Sequence, residues 1–276
     1  MKVYSLCYCL LLFPFGDFFV STDSLSCLSL KQPPKPSLMR YLVLILLLAP
    51  ICVHSQTCII AKVELGTIFI GADSRISRIG LITNKIEYQD SICKICHQDK
   101  FYFAIAGIGV THLARQKLTE ILSKETDISK IVSYLKDEVA LRICDTFFFI
   151  RDNKISTYRD YINKPILQII LAYYNQNTPR LFYIGFRANE GSNYSNFGVT
   201  MDTAHRSPMA IGNIDYINNQ KYLLNKNIWD HGAASGISRM IRVEADSTSE
   251  VGLPISLLRV RKTNPYWISN ASKCKL

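Results

Sequence analysis

From Thr57 onward the hydrophobic pattern switches between a strand-like and a helix-like period. Cys58-Ile-Ile-Ala-Lys-Val63 and Thr67-Ile-Phe-Ile-Gly-Ala72 are apolar at almost every position and flank a turn signal at Glu64-Leu-Gly66, so they predict a pair of buried antiparallel strands. Ile86–Tyr88 and Ser91–Ile95 predict two shorter strands, and Phe101–Ala106 predicts another that ends in Gly107. The period then lengthens. Leu113, Leu118, Ile121 and Leu122 share one face over Thr111–Ser123, and Ile131, Leu135, Val139 and Ile143 share one over Asp127–Ile150, with Thr111 and Asp127 as candidate caps. A second strand block follows: Ile166–Tyr173, a polar turn at Asn175–Pro179, Leu181–Phe186, Phe197–Met201 and Met209–Gly212. Tyr216–Ala245 reads as mostly helical, and Pro254–Val260 and Tyr266–Ile268 close the chain as strands. Antiparallel strands apolar on both faces need cover on both faces, which predicts an α+β domain, best arranged as a four-layer α-β-β-α sandwich.

The front of the chain has a different character. Met39-Arg40, the apolar run Tyr41–Ala49, Pro50 and the exit Val53-His54-Ser55-Gln56 have the order of a signal peptide, with Val53 and Ser55 where a signal peptidase reads. The run is short and broken by Pro50, which argues against a membrane-spanning helix. Residues 1–38 read as a gene-model extension or disordered leader ahead of a start at Met39, 39–56 as the signal peptide, 57–269 as the domain and 270–276 as a tail. The expected location is secreted or periplasmic. The alternative is a protein anchored in the membrane through residues 3–20 or 41–53.

The formal charge of +10 is spread along the chain: Lys2, Lys31, Lys35 and Arg40 against Asp17 and Asp23 leave +8 for the residues after 56. No aromatic-basic motif accompanies that charge, so nucleic acid is not an expected partner. Of nine cysteines, Cys58, Cys93, Cys96, Cys144 and Cys274 lie beyond the leader. An odd set in an exported protein is not a disulfide framework, and Cys93-Lys-Ile-Cys96, without a second ligand pair, reads as two small packing residues rather than a metal or redox site.

Thr57-Cys-Ile-Ile-Ala-Lys-Val-Glu-Leu-Gly-Thr-Ile-Phe-Ile-Gly-Ala-Asp-Ser-Arg75 resembles the opening of proteasome β subunits and bacterial proteasome-like peptidases, a family of N-terminal-nucleophile hydrolases. Ile92-Cys-Lys-Ile95 stands where that family has its lysine strand. Phe103-Ala-Ile-Ala-Gly107 resembles the strand whose glycine N–H binds an oxyanion, and Asp246-Ser-Thr-Ser249 precedes a strand similar to the family's last long one. The resemblance implies Thr57 as nucleophile, Lys94 as its cationic neighbour, Asp73 as the partner of Lys94 and Gly107 as oxyanion donor. Asp246 and Ser249 would hydrogen-bond the terminal amine. It also implies a peptide or small amide substrate, a possible homo-oligomer and no cofactor or metal.

Read without the resemblance, each residue has a plainer use: Thr57 opening a strand, Asp73 bonding its own turn, Lys94 solvated on a strand, Gly107 easing a turn, Asp246 and Ser249 capping a loop. The chain departs from the family in having Gln56 rather than glycine before Thr57, and Asn213 where a serine is usual. An exported protein of this fold with no catalysis, acting as a binding or assembly module, is therefore the competing expectation.

Overall fold

The first hairpin sets the frame. In the computed structural model of the protein, residues 57–79, 86–89, 92–107, 111–153, 155–190, 197–270 and 274 are described. Strand β1 (Cys58–Glu64) folds back on β2 (Thr67–Ala72) through Leu65-Gly66, both with positive φ (47° and 71°). Such a two-residue turn matches the twist of the strands it joins, and the glycine supplies the second left-handed position without steric cost.

Around that hairpin lies a five-stranded antiparallel sheet in the order β10-β1-β2-β11-β12, with β10 (Met209–Gly212), β11 (Ser256–Val260) and β12 (Tyr266–Asn270). A second five-stranded antiparallel sheet runs β5-β6-β7-β8-β9, built from β5 (Ile95–Gln98), β6 (Phe101–Gly107), β7 (Pro165–Asn175), β8 (Thr178–Glu190) and β9 (Phe197–His205). A small hairpin, β3 (Ile76–Ile79) with β4 (Ile86–Gln89), stands apart from both. Helices α1 (Thr111–Leu122), α2 (Ile128–Asn153), α3 (Ile155–Tyr161), α4 (Asp215–Asn219) and α5 (Gly232–Ser247) complete an α+β chain.

Three apolar clusters follow from the strand alternation. Phe101, Phe103 and Ile105 on one face of β6 pack with Leu118, Ile131, Leu135 and Val139 from α1 and α2. The opposite face, Tyr102, Ala104 and Ala106, packs with Ile59, Ile68 and Ile70 of the other sheet. The outer face of that sheet, with Cys58, Ile60 and Phe69, packs with Ile237, Met240 and Ile241 of α5. The face predicted for α2 is buried as read, and Asp127 caps it by accepting the Ser129 N–H at 2.8 Å. On α1, Ala114 is buried and Leu113 only half-buried, a small rotation from the predicted face.

Two of these expectations are corrected, at Ser91–Ile95 and at Cys93. Ser91–Ile95 does not form one strand: β5 starts at Ile95, and the Ile92 N–H instead bonds the Ser74 carbonyl at 3.0 Å, drawing this segment toward the loop after β2. Tyr216–Ala245 is mostly helical as read, with two 3-10 turns between α4 and α5, Lys221 left-handed and Asn225 capping the second turn by accepting the Asn227 N–H. Cys93 is no packing residue but forms a disulfide with Cys274 across 181 residues. The stretch read as a tail is thereby tied to the domain, and Asn270 holds Cys274 a second time through both backbone polar groups. Cys58, Cys96 and Cys144 are free. The leader read over residues 1–56 lies outside the described residues. Among those described, no helix is long and apolar enough to cross a membrane.

Helix α5 sits directly on β2 at Gly71, where an added Cβ would overlap the Ile237 side chain and touch Ile241 at 3.2 Å. Overpacking of this kind costs roughly 1–3 kcal/mol. Gly71→Ala is therefore expected to lower stability by about that amount in chemical denaturation, with the midpoint shifted and the slope unchanged.

Glu244 of α5 is buried and accepts the N–H groups of Ile217 at 3.0 Å and Tyr216 at 3.3 Å, pinning α4. Burial pushes its carboxyl up, helped by Asp215, against the pull of those two N–H groups. With a folded value above the unfolded one of about 4.3, its stabilising contribution is complete below that pH and is lost as pH rises through the folded value. Glu244→Gln should therefore gain ground on the parent protein as denaturation is repeated from about pH 4 to about pH 7.

Candidate active site

The chain enters the domain at Thr57, which is completely buried. Its carbonyl accepts the Asn213 N–H at 2.8 Å, extending the ladder in which Cys58 pairs with Gly212. This approach requires glycine at 212. Its φ is 89°, and a Cβ there would overlap the Thr57 carbonyl and sit 3.2 Å from the Cβ of Ala106. The close fit brings the end of β6 beside Thr57. The Gly212 N–H is taken by the side chain of Gln168 on β7 at 2.9 Å, so both sheets meet around this one turn of chain.

Asp73, just past the end of β2, is 1% exposed, and Lys94 is 3% exposed. Their side chains meet at 2.8 Å. The carboxylate does more than pair. Its Oδ1 also accepts the Cys58 N–H at 2.9 Å, while Oδ2 accepts the N–H groups of Arg75 and Gly252, each at 3.1 Å. The Arg75 bond is the local turn of the plain reading, and the Lys94 pair is the one the resemblance implies; the same carboxylate makes both. A solvated Lys94 is ruled out by its burial. Burial draws the Lys94 pKa down, and the Asp73 carboxylate opposes it.

The other candidates are placed less uniformly. Gly107 is the last residue of β6, half-buried and paired with Leu167, and a Cβ on it would approach the Ile166 carbonyl to 2.5 Å. Asp246 lies exposed in the last turn of α5. Ser249 is exposed too, and its carbonyl accepts from the Arg75 guanidinium at 2.8 Å, which ties that loop to the Asp73 turn. From the same loop the Glu250 carboxylate accepts from the Asn213 side-chain amide at 2.9 Å. Burial pushes the Glu250 carboxyl up, against that amide bond. Sequence reasoning missed Glu250 and Gln168, because neither belongs to a motif and each acts through a long-range contact made by the fold, Gln168 on the Gly212 N–H and Glu250 on the Asn213 side chain.

Cys58 follows Thr57 but points into the α5-facing cluster. Burial pushes its thiol pKa well up, and Asp73 and Glu244 add to that against Lys94. A thiol so placed is inert as a nucleophile. Among the described residues no group of three or more His, Cys, Asp or Glu side chains could hold a metal ion. What the arrangement offers chemically is a fixed, desolvated cation and carboxylate next to a strand preceded by a hydroxyl residue, Thr57. No protein-family model matches the chain, and no curated protein matches it in sequence.

A buried ion pair that loses one partner leaves an uncompensated charge, at a cost of about 3–5 kcal/mol. Asp73→Asn is expected to destabilise by about that much in urea titration. Adding Lys94→Met should recover part of the loss, with a coupling of at least about 1 kcal/mol in the double-mutant cycle.

Proposed function

We propose that this chain is an exported protein of the proteasome-like N-terminal-nucleophile class, and that it is a threonine-type hydrolase of peptides or other amides. The observation that carries the reading is the buried Asp73–Lys94 pair, whose carboxylate also grips the backbone N–H of the residue after Thr57. The three apolar clusters support a four-layer α-β-β-α sandwich with Thr57 at the mouth of the gap between the sheets. The Cys93–Cys274 disulfide supports an oxidising compartment, in keeping with the signal-like run before Thr57.

In this reading, cleavage before Thr57 frees an α-amine with a pKa near neutrality, about 7.7–8.0, able to accept the hydroxyl proton. The hydroxyl oxygen adds to the amide carbonyl, and positive charge from Lys94 favours the deprotonated forms beside it. The oxyanion takes the Gly107 N–H. The amine proton then goes to the leaving nitrogen, and water hydrolyses the resulting ester. The Asn213 N–H holds the Thr57 carbonyl, and Glu250 holds the Asn213 side chain behind it. The chemistry uses only groups of the chain. A peptide or small amide is the substrate class, a homo-oligomer is one possible assembly, and nucleic acid is not an expected partner.

Gln56 before Thr57, together with the full burial of Thr57, favours a second reading in which the amine is never freed and the fold serves binding or assembly. N-terminal sequencing and intact mass of the exported protein decide between them, together with hydrolysis of a panel of fluorogenic peptides and amides. The hydrolase reading expects a mature chain beginning at Thr57 and a loss of at least about 1000-fold in Thr57→Ala. A mature chain that keeps Gln56, with Thr57→Ala equal to wild type in every assay, establishes the second reading instead.

A further inference from the structure

Beside the edge strand β10 a cavity of about 760 Å³ opens, lined by neither Asp73 nor Lys94. β10 is an edge strand of its sheet, paired with β1 on one side. Met209 and Ala210 form one wall and Tyr183 and Thr203 the other, with α4 and the following 3-10 turn across the end.

The edge has a defined hydrogen-bonding register. Asn213 donates to Thr57, so the alternation of an antiparallel ladder directs Ile211 and Met209 toward β1, and Ala210 away from it. The Gly212 N–H, on the same side as Ala210, is already taken by Gln168. The outward backbone N–H and carbonyl of Ala210 therefore face the cavity at the height of its apolar wall. An extended polypeptide can add to such an edge through its own main chain.

Charge selects the occupant. Among the described residues, Arg187, Arg206 and Lys221 line the cavity with one carboxylate, Asp202. Arg206 lies over the Tyr183 ring at 4.8 Å and Arg187 is anchored on the Asn163 carbonyl at 2.9 Å, so two of the three cations are held in place. Leu224, at 82% exposure, adds an uncovered apolar rim.

We infer that this groove docks an extended, acidic polypeptide segment by strand addition to β10, its main chain bonding Ala210 and its acidic side chains meeting Arg187, Arg206 and Lys221. Like charges oppose a second copy of this chain in the same place. The site goes beyond the proposed hydrolysis and does not need Thr57 to react.

The test is fluorescence anisotropy of a fluorescein-labelled peptide of alternating Val and Glu, titrated with the full chain. Saturable binding is expected, weakened about tenfold or more in Arg206→Glu/Lys221→Glu, and by a similar factor when alternate peptide nitrogens of the probe are methylated. Both substituted side chains are exposed, so an unchanged melting temperature should accompany the loss, and the methylated probe tests the edge with the protein unaltered. Thr57→Ala should bind as wild type does, which separates this inference from the hydrolase reading. Equal binding of a Val/Lys probe overturns the inference, as does undiminished binding of the methylated probe. So does self-association of the chain that the double charge reversal relieves.

Discussion

One carboxylate organises the entry to this domain. Asp73 sits in a place where an unpaired charge would be prohibitive, and its two oxygens are met by an ammonium group and three backbone N–H groups from separate parts of the chain. Desolvation works against such a cluster, and it persists because every polar atom in it has a partner. The consequence is geometric. β1, the loop after β2, the segment before β5 and the loop before β11 are held to one point, and Lys94 gives up its place in a strand to reach it. The disulfide at Cys93 fastens the same segment from the other side, so the position of the lysine is fixed by a covalent and an electrostatic restraint on adjacent residues.

A second set of contacts repeats this use of carboxylates on backbone donors. Glu64, at the end of β1, accepts the Ala233 N–H at the start of α5 at 2.8 Å. Burial raises its pKa while that bond and Lys62 outweigh the rise and leave the carboxyl below its ordinary range. Glu244, deeper in the same helix, fastens α4 and is pushed the other way because no cation balances its burial. Helix α5 is thus held at its first turn by a carboxylate stabilised in its charged form, and holds its neighbour by one that burial disfavours. Gly71 decides how near the helix can come to the sheet between those points.

Much of this was legible in the residues. The strands Thr67–Ala72 and Phe101–Gly107, and the buried face of α2, follow from local periodicity, which survives folding when a segment is apolar enough to be buried as it stands. The Asp73–Lys94 pair was legible only through the motif that carries it. Local pattern failed where distant contact decides: Ser91–Ile95 has strand composition, yet Lys94 is worth more to the fold in the Asp73 cluster than in a ladder. The partner of Cys93 lies 181 residues away, and nothing in the spacing of the C-x-x-C pair announces it. Asp246 fits the motif by sequence but falls on the exposed side of the last turn of α5, while Glu250, four residues on, reaches the Asn213 side chain.

That last displacement bears on what the site can do. A free terminus at Thr57 would need polar groups that hold the backbone without blocking the hydroxyl. Asn213 meets the Thr57 carbonyl through its N–H and passes its side chain to Glu250, so the strand is held from the carbonyl side. Asp73 holds the Cys58 N–H on the next peptide. Both restraints act on peptide groups that remain after cleavage before Thr57, and neither uses the Thr57 nitrogen. These two contacts therefore hold the peptide groups on the C-terminal side of Thr57, at its carbonyl and at the next N–H.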